Sequence, residues 1–368
     1  YDGYNLKWED DFDGDALNED DWNYEEHAPG WVNSELQAYV KSDQNVYVKD
    51  GKLVIQPVKT KNEDGSYSIT SGRINTQGKH DFTYGLFEVR AKVPSGKGFL
   101  PAFWMMPTDE NLYGQWPRCG EIDAMEVMGQ ETDKVYGTIH YGSPHAEKQG
   151  TYTLENGNFA DEYHTFSCDW QPGKITWYVD GIKYHEESNW HSTTEGQGTL
   201  TYPAPFDQPF YIILNLAVGG SWVGNPNEKT NFDNNPFVVD YVRVYQKEKG
   251  IASGKVWRDT DGNVINAHGG GILFHEGKYY WFGEHRPASG FVTEKGINCY
   301  SSTDLYNWKS EGIALAVSEE EGHDIEKGCI MERPKVIYNA KTGKFVMWLH
   351  LELKGQGYGP ARAAVAVS

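Results

Sequence analysis

Three carboxylates lie within six positions of one short segment, CGEIDAMEVMG at residues 119–129. Glu121 and Asp123 are two residues apart, whereas Glu126 follows Asp123 by three. Side chains two positions apart in a β-strand share a face, so a regular strand would turn Glu126 away from the other two acids. One extra residue, a β-bulge, would return it, and bulges are frequent beside active sites. The spacing therefore predicts three acids on one face of a bulged strand.

Carboxylates beside aromatic side chains point to the hydrolysis of glycosidic bonds. One carboxylic acid of such a pair protonates the leaving oxygen, and the other acts as a nucleophile or as a base for water. The neighbouring segments AFWMMP and YGQWP supply Trp104 and Trp116, whose rings can stack on sugars. The structural alternative is a solvated acidic face, which would bring three like charges together at a cost. In a flat strand the Cα atoms of Glu121 and Glu126 would be roughly 13 Å apart, so spacing alone does not fix the stereochemistry.

The charge of the chain is strongly negative and unevenly distributed. The 368 residues include 33 Lys and Arg against 53 Asp and Glu, a formal net charge of −20. Up to Glu248 there are 19 basic and 39 acidic residues, and after it there are 14 of each. Nucleic-acid binders present basic surfaces, so we expect no nucleic-acid partner. We also expect no membrane-spanning segment, because no apolar run is long enough to cross a bilayer.

The N-terminus bears on where the protein works, whereas the cysteines say almost nothing about the redox compartment. The chain begins at Tyr1 without a signal-like apolar segment. We therefore expect a secreted, periplasmic or cell-surface protein whose signal peptide has been removed. Its four cysteines are too scattered for a disulfide framework or a zinc-binding pattern.

The first two thirds of the sequence has the pattern of short β-strands. GLFEVRAKVP alternates apolar and polar residues, and KITWYVDGIKYHE contains two strands around the hairpin turn Asp180-Gly181. FYIILNLAV and VVDYVRVYQ are further runs rich in branched and aromatic residues. Trp170 and Trp177 are expected in the core. Many short strands separated by glycine-rich turns predict an all-β sandwich.

The last third predicts a second β module. GGGILFHEGKYYWFGEH and KVIYNAKTGKFVMWLH each have the pattern strand, tight turn, strand. Such pairs repeat in the blades of a β-propeller, and about 115 residues supply two to three blades. We expect a catalytic domain at 1–247, a linker at 248–253 and an incomplete propeller-like fragment at 254–368.

The acid segment and its surroundings resemble glycoside hydrolase family 16, whose motif is Glu-x-Asp-x-x-Glu. The resemblance extends over residues 4–246 and is also carried by SGRINTQGKHDFTYGLFEVRAKVPSGKGFLPAFWMMP, VYGTIHYG and HTFSCDWQPGKITWYVDG. It implies a β-jelly roll with a cleft on its concave face and hydrolysis with retention of configuration. By position, Glu121 would be the nucleophile, Glu126 the general acid/base, and Asp123 the hydrogen-bond partner of the nucleophile.

The substrate implied by this resemblance is a β-glucan. The bulged motif occurs in laminarinase-like enzymes, β-agarases and carrageenases, and WVNSELQAY resembles a laminarinase segment in which Ser34 replaces the usual Asn. We expect a monomeric endo-β-1,3-glucanase that also cleaves mixed-linkage β-1,3-1,4-glucan. The alternatives are a β-agarase-like galactan hydrolase, a transglycosylase and a glycan-binding module without activity. The negative charge favours a neutral glucan over a sulfated galactan.

The same resemblance implies further site residues. The substrate contacts would be Asn33, Arg73, Trp104, Trp116 and His140. Trp222 is a candidate for a distal sugar site. A surface ion pair is the alternative for Arg73, and a buried hydrogen-bonded side chain is the alternative for His140.

No cofactor is expected for catalysis. The resemblance also implies one structural Ca²⁺ on the convex face, with a side-chain oxygen of Asp240 and backbone oxygens of Asp11 and Gly51 as ligands. Solvated acids in turns are the alternative to this calcium site.

Residues 252–368 resemble the start of glycoside hydrolase family 43, in particular its galactanase-like members. The likeness is carried by VWRDTDGNVINAHGGGILFHEGKYYWFGEH, CYSSTDLYNWK and ERPKVIYNAKTGKFVMW. Glu332, in ERPKV, would be a functional carboxylate. The usual acid of the first blade is not evident in INAHGGG, so we expect no independent activity from this fragment.

Overall fold

The computed structural model describes residues 1, 3–194, 198–247, 254, 256–287 and 290–368. The chain divides into two compact units, Tyr1–Glu248 and Lys249–Ser368. The predicted linker at 248–253 lies outside the described residues. The regular secondary structure of the described parts consists of β-strands, without an α-helix, as the sequence predicted.

The strands of the first unit follow one another closely along the chain. They are β1 (Tyr4–Asp10), β2 (Asn23–Tyr24), β3 (Gln37–Tyr39), β4 (Val46–Lys49), β5 (Lys52–Ile55), β6 (Val58–Lys61), β7 (Tyr67–Ser71), β8 (Arg73–Asn75), β9 (Asp81–Phe82), β10 (Gly85–Lys92), β11 (Phe99–Pro107), β12 (Glu121–Glu126), β13 (Lys134–Tyr141), β14 (Ala146–Thr153), β15 (His164–Gln171), β16 (Lys174–Val179), β17 (Ile182–Glu187), β18 (Thr193–Thr194), β19 (Gly198–Thr199), β20 (Phe210–Val218) and β21 (Phe237–Lys247). Strands of three or more residues in this unit alternate with turns, and this pattern is typical of a sandwich.

Two eight-stranded sheets form the sandwich of the first unit. The back sheet has the order β17-β16-β15-β10-β21-β5-β4, with β1 also paired to β21. The cleft sheet has the order β14-β13-β12-β11-β20-β8-β2, with β9 also paired to β20. Neighbouring strands within both sheets are antiparallel, and most neighbours are distant in sequence. This jelly-roll topology confirms the predicted fold class.

The core lies between the two sheets and is rich in aromatic rings. Trp170 and Trp177 are fully buried in it, as expected from the sequence. Along β11, Phe103 and Met105 point into the core while Trp104 between them points to the opposite face. Truncating a buried ring such as that of Phe103 would cost roughly 3–5 kcal/mol. The alternation thus fixes which side chains reach the outer face of the cleft sheet.

The second unit consists of two smaller antiparallel sheets. Its strands are β22 (His268–His275), β23 (Lys278–Glu284), β24 (Gly296–Ser302), β25 (Lys309–Ala316), β26 (Ile330–Asn339), β27 (Lys344–Glu352) and β28 (Arg362–Val367). The first four strands form one sheet and the last three form another, each in sequential order. Sequential antiparallel strands are the arrangement of a propeller blade. The strands of this unit do not close into a barrel.

Candidate active site

The three acids lie on β12, in the middle of the cleft sheet. Asp123 pairs with Trp104 of β11 while Met125 pairs with Phe103, so the register shifts by one residue. The pairing with β13 shifts at the same place, between Asp123 and Glu126. The extra residue is a β-bulge, and it confirms the prediction made from the spacing of the acids.

The bulge divides β12 between the core and the cleft. Ile122 and Met125 are fully buried in the core, whereas Glu121 and Glu126 line the cleft on the other face. Asp123 lies between the two glutamates along the strand and is only 2% exposed. The odd step between the acids therefore keeps the apolar residues inside and the carboxylates together.

The backbone at the bulge is supported from behind by the core. Nε1 of Trp177 donates a hydrogen bond of 2.8 Å to the carbonyl oxygen of Asp123. Gly137 of β13 lies opposite the bulge, and a Cβ atom there would be 2.4 Å from Cδ1 of Trp177. The close approach of Trp177 to the sheet thus requires glycine at this position.

The cleft above the acids has a volume of about 940 Å³ and is lined entirely by the first unit. All five predicted substrate contacts line it, namely Asn33, Arg73, Trp104, Trp116 and His140. Trp222 lines it as well, and its ring is 45% exposed. The structure therefore brings together residues that span almost 200 positions in sequence.

Trp116 contacts the first acid directly. Its Nε1 donates a hydrogen bond of 2.5 Å to Oε2 of Glu121. The ring itself is 47% exposed in the cleft. Trp116 therefore presents an apolar face to a ligand while its polar edge orients Glu121.

Asp123 keeps one carboxylate oxygen without a hydrogen bond. Nε2 of His140 is 3.2 Å from Oδ2 of Asp123, close enough for an ion pair. This oxygen accepts no hydrogen bond and remains an unsatisfied buried acceptor. The other contact of Asp123 is with the carboxyl group of Glu121, and the two share a hydrogen bond. Such a bond requires that one of the two groups carries a proton.

Burial and the charges of nearby carboxylates raise the pKa of all three acids, although the hydrogen bond with Glu121 lowers that of Asp123. Burial is the largest cause in each case, because the charged form loses water. The pKa of Asp123 rises to about 7. The pKa values of Glu121 and Glu126 lie well above the usual range of a carboxyl group, and the charge of Asp123 contributes to both. The three groups titrate as a coupled set.

The surroundings of Glu121 and Glu126 differ in one decisive respect. The charge of His140 and the hydrogen bond from Trp116 both favour the ionised form of Glu121. Glu126 accepts no hydrogen bond from any residue that the structure describes, and its pKa is also raised by the charges of Glu147 and Glu35. The contacts that favour an ionised carboxylate therefore lie at Glu121, which suits Glu126 to the role of proton donor.

Arg73 lies within the cleft wall and is largely buried. Its Nε donates to Oε2 of Glu25 at 2.7 Å. The guanidinium lies 5.1 Å from the ring of Trp31 on one side and 4.8 Å from the ring of Trp104 on the other. Arg73 does form an ion pair, as in the alternative considered for it. The residue is only 8% exposed, however, and it lines the cleft. Trp31 stacks on His27 with ring centroids 3.4 Å apart.

Sequence reasoning missed several cleft residues. Trp31 begins the segment WVNSELQAY but was not singled out there. Glu35, His145 and Glu147 also line the cleft. His140 and Glu147 are cross-strand partners in the β13–β14 hairpin, so the segment IHYGSPHAE could have indicated Glu147.

Comparison with known proteins identifies the family. Residues 33–234 match the glycosyl hydrolases family 16. The chain belongs to this family. A glucan endo-1,3-beta-glucosidase of Niallia circulans is 42% identical over 268 residues, which cover 67% of the chain and 38% of that protein. The chain thus matches well under half of this relative's length.

Two further relatives of this family 16 glycoside hydrolase are matched over most of their length. A glucan endo-1,3-beta-glucosidase of Cryptopygus antarcticus is 41% identical over 65% of the chain and 91% of that protein. The X-ray structure of an endo-beta-1,3-glucanase from Pyrococcus furiosus has a TM-score of 0.57 and 41% identity over 66% of the chain and 94% of that structure. None of the described segments of the family 16 chain is a helix long and apolar enough to cross a membrane.

Two of the three residues predicted to bind Ca²⁺, Asp11 and Asp240, have side chains that form ion pairs in the family 16 domain. Oδ1 of Asp240 accepts a hydrogen bond of 2.8 Å from Lys52, and Oδ2 accepts one from Arg90. Burial alone would raise the pKa of Asp240, but these two partners lower it below its ordinary value. Asp11 pairs with Arg243 at 3.0 Å. As these side chains lie, Asp240 offers Ca²⁺ no free carboxylate oxygen, and the ion remains a prediction.

Glu332 is buried in the second unit. It accepts hydrogen bonds of 2.6 Å from Arg286 and 2.7 Å from the hydroxyl of Tyr358. Arg286 also donates to Glu284 at 2.9 Å. The family match ends before this unit, so the resemblance to family 43 and the role of Glu332 remain predictions.

Proposed function

We propose that the protein is an endo-acting, retaining hydrolase of β-1,3-glucan and of mixed-linkage β-1,3-1,4-glucan. The observation that carries this proposal is the unequal environment of Glu121 and Glu126 in one aromatic cleft. Two acids in unequal surroundings are suited to different roles in one reaction.

The proposed reaction has two steps. Glu121, ionised and oriented by Trp116, attacks the anomeric carbon while Glu126 gives its proton to the departing glycosidic oxygen. Water then attacks the same carbon, Glu126 takes a proton from that water, and the bond to Glu121 breaks. Asp123 shares a proton with Glu121 in a hydrogen bond between the two carboxyl groups, and so it bears part of their negative charge.

A neutral polysaccharide suits the charge of this cleft. Seven glutamates line it, namely Glu25, Glu26, Glu35, Glu110, Glu121, Glu126 and Glu147. A sulfated galactan would meet repulsion from these groups, whereas a glucan would meet rings and hydrogen-bonding groups. The glucanase names of the relatives given above support the same choice.

The proposal also covers where and in what form the protein acts. Polymeric glucans do not cross membranes unaided, so we infer that the enzyme works outside the cytoplasm, in the periplasm, at the cell surface or in the medium. One chain contains the complete cleft, so a monomer is sufficient for activity.

The test is the release of reducing sugar from laminarin, lichenan, barley β-glucan, agarose and β-1,3-galactan. We expect activity on the glucans and a loss of roughly 10⁴-fold or more in Glu121→Gln. The sizes of the products separate an endo-hydrolase from a transglycosylase. Activity on agarose alone, or glucan binding without cleavage, would contradict the proposal.

A further inference from the structure

Three metal-ligating side chains converge at the end of the β13–β14 hairpin. They are His140, His145 and Glu147, whose ligand atoms all lie within 4.8 Å of one another. Nδ1 of His140 is 2.9 Å from Nε2 of His145 and 3.4 Å from Oε2 of Glu147. Nε2 of His145 is 4.0 Å from Oε2 of Glu147. The reaction described above uses neither His145 nor Glu147.

The convergence follows from the hairpin. His140 pairs directly with Glu147 across the two strands, so both side chains lie on the cleft face. The turn after Tyr141 brings His145 back over His140, and their rings stack with centroids 5.1 Å apart. Two residues on paired strands and one in the turn between them make a preformed cluster.

The spacing of the cluster is compatible with a zinc ion, although the contact of 2.9 Å between the two histidines is also a hydrogen-bond distance. Two ligands at about 2.0–2.1 Å from Zn²⁺ are about 3.3–3.4 Å apart at the tetrahedral angle. The three separations in the cluster, 2.9, 3.4 and 4.0 Å, lie around this value. Two imidazoles and one carboxylate are also a frequent zinc donor set. The side chains of His145 and Glu147 are 39% and 55% exposed, so an ion can reach them.

A second observation lies behind the cluster. Oδ2 of Asp123 is a buried acceptor without a hydrogen bond, and Nε2 of His140 lies 3.2 Å from it. A metal on Nδ1 of His140 leaves the ring proton on Nε2, which faces Asp123. Carboxylate, histidine and metal in this order is the usual arrangement behind zinc-binding histidines. A metal on Nδ1 thus fixes the tautomer of His140 that can donate to this oxygen.

We propose that His140, His145 and Glu147 bind one divalent transition-metal ion such as Zn²⁺, with Asp123 as the buried partner of His140, and that the bound ion inhibits hydrolysis. The ring of Trp116 lies 5.1 Å from that of His145, so the ion and its water occupy space beside the predicted sugar platform. Binding does not depend on the proposed function, but the inhibition does.

The test begins with calorimetric titration of the full chain, freed of metal, with ZnCl₂. We expect one bound ion per chain, and a loss of affinity of roughly tenfold or more in both His145→Ala and Glu147→Gln. Glu147→Gln keeps the size of the side chain and guards against misfolding. The control His323→Ala removes an exposed histidine of the second unit and leaves binding unchanged. Asp123→Asn weakens binding by about 10–100-fold, which a merely structural role of Asp123 would not do.

Activity is then measured with and without Zn²⁺, each variant against its own metal-free rate. Wild type loses activity over the concentration range of the calorimetric transition, and His145→Ala and Glu147→Gln do not. Absence of Zn²⁺ uptake, or uptake unchanged in both variants, would overturn the site. Uptake without loss of rate would overturn the inhibition. An inactive wild type would contradict the proposed function instead, because calorimetry still decides the site.

Discussion

Nε1 of Trp116 donates its hydrogen to Oε2 of Glu121 across 2.5 Å, while Glu126 has no such donor among the described residues. Together with the charge of His140, this hydrogen bond distinguishes two acids that share a strand, a face and a cleft. It favours a negative charge on Glu121 and leaves the proton on Glu126. The assignment of nucleophile and general acid rests on it.

Replacing Trp116 by Phe tests this hydrogen bond. The ring platform is retained but the N–H donor is lost, so the ionised form of Glu121 becomes less favourable and the pKa of Glu121 rises. We expect the acidic limb of the kcat/KM profile to move to higher pH by roughly half to one pH unit. Trp116→Ala loses the ring as well and should in addition raise KM. An unmoved acidic limb in Trp116→Phe would contradict the role of the bond.

Glu126→Gln tests the general acid/base. Burial and the charges of Asp123 and Glu121 raise the pKa of Glu126, so wild-type activity should fall on the alkaline side as this proton is lost. The variant should lose this alkaline limb, and it should cleave aryl glucosides with good leaving groups far better than polysaccharide. Added azide should restore turnover and give the β-glycosyl azide. An α-azide would instead identify Glu126 as the nucleophile.

Asp123→Asn tests the cost of the buried acids. The pKa of Asp123 is raised in the folded state to about 7, so this group favours folding below its unfolded pKa near 4 and opposes folding as the pH rises toward 7. The gain in free energy of unfolding of Asp123→Asn over wild type should therefore be larger at pH 8 than at pH 4, by on the order of 1–3 kcal/mol. Melting curves at the two pH values measure the difference. A variant that gains nothing at pH 8 would contradict the raised pKa.

Gly137→Ala tests the support behind the bulge. The added Cβ would lie 2.4 Å from Trp177, so the indole must shift and its hydrogen bond to Asp123 must lengthen. We expect a loss of stability of about 1–3 kcal/mol and a lower kcat. The control is Gly14→Ala, whose Cβ would have its nearest contact at 3.5 Å. Equal melting temperatures for the two variants would show that the close contact between position 137 and Trp177 does not affect stability.

The sequence predicted the centre of the site well because that centre depends on local rules. Side chains alternate between the two faces of a strand, and one β-bulge interrupts this alternation, so that Glu121, Asp123 and Glu126 lie on one face. The structure confirms this through register shifts with both neighbouring strands. The resemblance supplied Asn33, Arg73 and His140, and all three line the cleft.

What the sequence did not predict depends on contacts between distant segments. Trp31 and Trp104 enclose Arg73 although more than 70 positions separate the two rings, and no periodicity describes such a pair. His145 reaches His140 only through the conformation of a turn. The ion pairs of Asp240 also depend on distant segments, because Lys52 and Arg90 reach this carboxylate from two other strands.

The most direct test of the proposed reaction is the stereochemistry of the first product. Proton NMR of a laminari-oligosaccharide during the first minutes of hydrolysis distinguishes the anomers before they equilibrate. Double displacement through Glu121 predicts that the β-anomer appears first and the α-anomer follows by mutarotation. An α-anomer formed first would show direct attack by water and would contradict Glu121 as the nucleophile.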